Sequence, residues 1–557
     1  MFLTYNAKIN EDFGFKVMGG YTGDKESGYF TSIGTNGGLT TENRFDLTST
    51  AQSISVNPTD YNQYHRSYLT KDAIIGTANF SFKNYLFVEG TVRRDRTSVM
   101  NPDNNAFVYP SVNSAFQISD AFKLPDFINS AKLRASWGIV GNYPTPYAAN
   151  VAYSLYNWGN QGSGSVLSTS TATTTYGNDQ IKPEKKHEYE FGLEAGFFHS
   201  RLSLDVSYYN AKVVDMIIPL QIAQTTGASN ILANVGTLQN TGLEFNISGK
   251  PVVGRNFTWS TGVNFSFNNN KILKLTTGSN ELIAADYDGN AAVLKSVVGR
   301  PIGDFYAHPI LTNDKGEPVV GDFGDGDVVY KIDGSKLERY GNAQVKAVGG
   351  FYNTFSYKAL TLEIYTDFRI GGDVMPTGIF WLHSRGLTEK SLTAMDAAHG
   401  GVAYYKDADG HGVATTAPTG PNGETVYNDG MKLGGVFADG TANNYVTSQL
   451  YYFNETYNWG GPQYSNSQYL QYIVENTYWK VREISLSYNL PQSIANKIKA
   501  KHLQLSVFGR NVFYIYRTIK DMDAEQLTTG LKWSESLTNA GSQPSTRTFG
   551  VSLRANF

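Results

Sequence analysis

The chain has 557 residues and a near-balanced charge, 46 Lys and Arg against 49 Asp and Glu, for a net of -3. That balance excludes the basic footprint of a nucleic-acid binder. The absence of cysteine excludes disulfides, thiolate metal sites and cysteine nucleophiles together. The eight histidines show no H-E-x-x-H or other paired spacing, which argues against zinc. The outliers are aromatic: 37 Tyr, 31 Phe and 7 Trp, alongside 56 Gly. That bias suits a barrel with aromatic girdles, and equally a large secreted β protein.

No apolar run approaches the roughly 18 residues of a membrane helix; the best stretch, "VVDMIIPLQIA" from Val213, is broken by Asp215 and Pro219. The opening "MFLTYNAKINEDFGF" has no basic region or cleavage site, so any export address is expected upstream.

In chain order, segments with a period of two recur at 2–10, 13–21, 71–82, 85–97, 105–118, 131–142, 186–198, 201–216, 239–250, 256–268, 344–357, 359–373, 474–490, 501–516 and 545–557. "LFVEGTVR" from Leu86, "RLSLDVSYYN" from Arg201 and "LTLEIYTDFR" from Leu360 each place apolar residues on one face and polar or charged residues on the other. These roughly fifteen segments have about the length a tilted strand needs to cross a bilayer. Arg93, Asp95, Asp205, Glu363, Asp367, Arg369 and Arg510 fall on the polar faces, with Arg134, Glu190 and Glu244. Ionised groups on a wall require water or partners, so an aqueous lumen accommodates them.

The connections alternate in length. Short links such as Lys83-Asn84, His199-Ser200 and Tyr357-Lys358 alternate with longer ones near 22–70, 143–185, 269–343, 374–473 and 517–544. Brief turns on one side and long loops on the other mark an outer-membrane barrel, with periplasmic turns and extracellular loops. The fold class expected is all-β, a transmembrane antiparallel β-barrel. Such barrels carry even strand numbers with both termini inside, so about fifteen strands ending inside imply further strands before Met1.

Several stretches then resemble one family. "NYLFVEGTVRRDRTS" (84–98), "FVYPSVNSAFQISDAF" (107–122), "LRASWGIVGN" (133–142), "IKPEKKHEYEFGLE" (181–194), "NVGTLQNTGLEF" (234–245), "VGRPIGDFYA" (298–307), "YWKVREISLSYNLP" (478–491) and "FGRNVF" (508–513) occur in collinear order. Together they resemble the C-terminal barrel portion of SusC/RagA-like TonB-dependent outer-membrane transporters of Bacteroidetes. The resemblance implies a 22-stranded barrel, with TonB box, plug and first strands upstream. It also implies a SusD-like surface lipoprotein as lid and the TonB-ExbB-ExbD complex as energy source. The cargo implied is a large nutrient, an oligosaccharide first and a peptide second, and no enzyme activity. The terminal aromatic strand, with Phe549 and Phe557, resembles the signal read by the barrel-assembly machinery. A siderophore or cobalamin receptor, a non-transporting surface adhesin and a secreted β protein stay open as rivals.

Candidate cargo contacts come from the longest loop, where Trp381, His383, Arg385, Tyr404, Tyr405 and Trp459 offer flat rings and polar groups for a sugar face or peptide. The competing reading is that they pack the loop. "GDFGDGDVVYKIDG" (321–334) gathers Asp322, Asp325, Asp327 and Asp333 in a calcium-like composition. Its spacing does not fit an EF-hand and no glutamate closes it, so a solvated turn and no cofactor are expected. "YYKDADGHG" (404–412) raises the same idea with Asp407 and Asp409. No G-x-S-x-G elbow, phosphate loop or metal triad supports catalysis.

Overall fold

The computed structural model describes all residues except 31–34, 43, 45, 53–64, 147, 149–152, 156–169, 173–174, 223–227, 229, 276–277, 288–290, 323–325, 458–467 and 528–543. Fifteen strands form one antiparallel sheet in which every neighbour is also the neighbour in chain order. They are β1 (Phe2–Lys8), β2 (Phe13–Phe30), β3 (His65–Phe82), β4 (Leu86–Thr97), β5 (Ala106–Gln117), β6 (Ile128–Asn142), β7 (Glu184–Phe197) and β8 (Leu202–Val214). Then follow β9 (Gly236–Val253), β10 (Phe257–Leu275), β11 (Val345–Tyr357), β12 (Leu360–Gly371), β13 (Tyr478–Asn489), β14 (His502–Arg517) and β15 (Thr548–Asn556). Among the described residues no helix is long and apolar enough to cross a membrane.

The chain divides into two compact units. The first comprises Met1–Ala121, Arg134–Glu190 and Ala211–Thr237, the second Phe122–Leu133, Phe191–Asn210 and Leu238–Phe557.

In the first unit the register sets Phe13 opposite Phe82, Phe15 opposite Phe80 and Val17 opposite Ala78. Phe82 in turn faces Leu86. At the foot of this face Phe13 and Phe82 lie 4.6 Å apart, and Tyr85 bridges Phe82 and Phe116 edge-on. Rings collected at one level of a sheet face form a girdle. β2 and β3 are longer than the alternation predicts, pairing without interruption from Phe13↔Phe82 to Phe30↔His65. Their upper halves carry polar residues on both faces, with Lys71 bound to Glu26 at 2.9 Å. A ribbon wet on both sides has no period-two hydropathy to betray it.

In the second unit the outward face is also aromatic. Rings run Phe245–Phe265–Phe368–Phe351–Trp479 across five strands at centroid spacings of 5.0, 6.1, 5.6 and 5.9 Å. On β15, Phe549 and Val551 are each 70% exposed. So wide an apolar face left uncovered fits a lipid surround.

The segments between β10 and β11 and between β12 and β13 fold as well. Glu281–Tyr287, Ala292–Val297, Asp304–Ala307 and Glu338–Asn342 make one four-stranded sheet. Val402–Lys406, Gly412–Ala414, Val426–Met431 and Thr447–Ser448 make another, flanked by helices Thr377–His383 and Gln449–Tyr457. Their shared core contains Leu294, Phe305, Met375, Phe380, Tyr452, Phe453, Tyr469 and Tyr472.

Candidate functional site

Strand alternation puts a charged wall opposite the apolar face, and each unit carries a recess on it. In the first unit Arg93 Nε donates to Asp95 Oδ1 at 2.6 Å, and the Tyr109 hydroxyl donates to the same carboxylate. A neighbouring recess of about 730 Å³ is lined by Lys16, Glu89, Arg134 and Glu190 with Asn79 and Asn113.

In the second unit a recess of about 550 Å³ is lined by Asp205, Glu244, Asp367 and Arg369, with Asn246 and Asn264 between them. Arg482 clamps it at the top, 2.5 Å from Asp367 Oδ2 and 2.7 Å from Glu525 Oε2. Lys480 adds a second cation 2.8 Å from Glu525. Asp367 Oδ1 is buried and has no hydrogen-bond partner among the described residues, an uncommon state for a carboxylate. Glu363 accepts from the Tyr365 hydroxyl at 3.5 Å. Arg510 Nε donates to Glu483 at 2.8 Å. Of the seven charges expected on the lumen wall, Asp205, Asp367 and Arg369 share this recess. Arg93 pairs with Asp95, and Arg510 and Glu363 have local partners.

The loop candidates separate into two groups. His383 and Tyr404 are each only 2% exposed and pack the loop body. His383 Nδ1 lies 2.5 Å from Thr388 Oγ1, with its ring edge-on to Phe453 at 4.5 Å. Burial, assisted by Lys390, lowers its pKa to about 4, so the ring is neutral near pH 7. The Tyr404 hydroxyl donates to Asp429 at 3.2 Å. Burial first, then the Asp429 charge, pushes that hydroxyl well above its ordinary value. Both side chains lie in the core, where their rings pack among the aromatics that hold the body together.

Trp381 is 42% exposed, with the Arg385 guanidinium 4.7 Å over its ring. Arg385 Nη1 also donates to the Trp381 carbonyl at 3.2 Å. This pair presents a flat apolar surface beside a fork of donors. Tyr405 is partly buried on the strand Val402–Lys406. Trp459 lies outside the described residues.

The two aspartate-rich stretches, 321–334 and 404–412, meet in space. His411 Nε2 lies 3.2 Å from Asp322 Oδ2, and a Cβ on Gly326 would collide with the backbone of Gly410. Asp327 is committed elsewhere, held by Lys406 at 2.6 Å and by the Ser448 N–H. Asp325 lies outside the described residues. Among the described residues, the atoms that could serve as metal ligands are those of Asp407, Asp409 and His411, within 4.8 Å of one another. Nothing in either stretch alone signals that they would join, because they are separated by some eighty residues of chain.

A family model described as "TonB dependent receptor-like, beta-barrel" matches residues 3–303. TonB-dependent receptor P3 of Formosa agariphila is 24% identical over 588 residues, covering 100% of this chain and 52% of that protein. TonB-dependent receptor SusC of Bacteroides thetaiotaomicron is 27% identical over 360 residues, covering 59% of this chain and 35% of that protein. The RagAB peptide transporter structure superposes with a TM-score of 0.66 at 17% identity, covering 99% of this chain and 54% of that chain. The chain thus spans about half the length of the curated relative matching it end to end. An apolar outward face, a charged inner wall and a family of receptors with no enzymes among these relatives agree in one assignment. The chain belongs to the TonB-dependent receptor β-barrel family of the outer membrane, with SusC among its relatives and the RagAB transporter sharing its fold.

Proposed function

We propose that this chain supplies the wall and the loop mass of an energised importer of a large nutrient, first an oligosaccharide. The observation that carries the reading is the Trp381–Arg385 pair, with the indole 42% exposed, on a loop body that has its own hydrophobic core. A rigid body of this kind holds a stacking surface in place, and an indole face beside an arginine fork suits the apolar face and hydroxyl rim of a sugar ring. SusC and RagAB among the similar proteins support a SusD-like lipoprotein as lid and TonB as the energy source. RagAB is itself a peptide transporter, which supports peptide as the second cargo.

Removing the cognate lipoprotein gene or TonB is expected to abolish growth on one particular polymer. In the otherwise intact strain Trp381→Ala is expected to weaken cargo binding about ten-fold, the scale of one lost aromatic platform. Unchanged uptake in the TonB-deficient strain would overturn the importer reading. Binding of peptides with no binding of glycans would select the second cargo.

A further inference from the structure

One group of cations stands on the wrong face for a lumen wall. Arg94 follows Leu86, Val88, Gly90 and Val92 on the outward face of β4, while Arg93 and Asp95 point the other way. Its cross-strand neighbours are Ile74 on β3 and Val108 on β5, and Ile74 faces Tyr21 on β2. Tyr21, Ile74, Val92 and Val108 are all at least half exposed, so Arg94 sits at the top of an open apolar surface. One row further out, Arg96 grips Asp72 through two bonds of 2.8 and 3.1 Å. One row beyond, Lys25 faces Thr70 on the same side. Asp72 is consumed by Arg96, and among the described residues Arg94 has no ion-pair or hydrogen-bond partner.

The height of these cations is set by the register. The aromatic foot of this face is the row Phe13–Phe82–Leu86–Phe116. Arg94 lies eight residues above Leu86, about 27 Å along the strand and about 20 Å along the membrane normal at a barrel tilt of ~40°. Arg96 comes to about 26 Å, against an apolar band about 25 Å tall. The guanidinium groups therefore emerge where hydrocarbon gives way to phosphate. A planar fork of donors matches a phosphate better than a lysine would.

We propose that Arg94 and Arg96, with Lys25 above them, form a docking site for the phosphate of an outer-leaflet lipid on the outward face of the first unit. The site is independent of cargo, because none of the three side chains faces the lumen. The partner is lipid, since the cations crown the apolar face that an outer-membrane barrel turns to the bilayer.

The test uses the full chain purified in mixed micelles doped with phosphorylated lipid A or with the same lipid A enzymatically dephosphorylated, and counts bound lipid by native mass spectrometry. The phosphorylated form is expected to be retained preferentially. Arg94→Gln should lower its occupancy about five-fold, and Arg94→Gln with Arg96→Gln about thirty-fold. Arg94→Lys, which keeps the charge and loses the fork, should fall between the unmodified chain and Arg94→Gln, and heat-modifiable gel migration identifies variants that have folded. Equal retention of the two lipids by the unmodified chain would overturn the proposal, whatever the variants do. So would equal occupancy in a folded double variant.

Discussion

At the scale of single residues, the loop body is held by polar groups placed where water cannot reach them. Asp304 has no exposed side-chain surface and is met by Arg300 at 2.5 Å, Arg339 at 2.7 Å and the Asn342 amide at 2.8 Å. Both arginines are partly open to solvent, so Asp304→Ala is expected to cost about 2 kcal/mol of local stability, less than a fully buried pair would. Faster hydrogen exchange over Asp304–Ala307 would report it. His383 makes the body pH-sensitive. Its folded pKa near 4 lies below the ordinary 6.5, so the native state disfavours the proton. Stability is complete above pH 6.5, falls as pH drops from 6.5 towards 4, and is level below that. The full span is worth up to about 3 kcal/mol. Exchange at Phe380 and Phe453, corrected for intrinsic rates, should show that slope. His383→Gln should abolish it, and an unchanged slope in the variant would remove His383 as the cause.

At the scale of strands, close approach matters more than propensity. Gly349 on β11 lies between β10 and β12, and a Cβ there would fall within contact distance of the Asn264 carbonyl and the Phe368 ring. Backbone cannot swing aside as a side chain can, so Gly349→Val is expected to cost about 3 kcal/mol. Gly76 on β3 has nothing near the same position, and Gly76→Val should fold normally. The fraction of heat-modifiable protein separates the two, and equal yields would refute the argument. These strands are legible in the sequence because lipid on one side and water on the other force a period of two. The fifteen alternating segments coincide with β1 to β15 for that reason. Where the two environments become alike, in the upper halves of β2 and β3, the signal disappears although the pairing continues. The burial of His383 and Tyr404 is illegible for a related cause. A buried aromatic and a cargo-binding aromatic have the same composition, and only tertiary packing tells them apart. The junction of 321–334 with 404–412 depends on a fold of some 200 residues that no local pattern encodes.

At the scale of the whole molecule, the sheet and the loop body should come apart as separate cooperative structures. Asp373 pairs with Glu475 and Val374 with Val474, so the two ends of the longest loop are already strand neighbours about 5 Å apart. Residues 376–472 can therefore be replaced by a short Asn-Gly turn without stretching β12 or β13. The excision removes Phe380, Tyr452, Tyr469 and Tyr472 from the core they share with Leu294 and Phe305. Each buried ring contributes on the order of 3 kcal/mol, so the remaining sheet over 281–342 loses most of its support. The aromatic rows on the outward face and the charged wall keep their partners, because the strands and the connection that supplies Glu525 lie outside the excised segment. The shortened protein is expected to reach the outer membrane and to migrate as a heat-modifiable barrel. It should be cleaved by added protease within 281–342 and fail to take up cargo. Loss of the barrel itself would mean that loop body and sheet fold as one unit. Retained protection over 281–342 would mean that Leu294 and Phe305 need no partner from the longer loop.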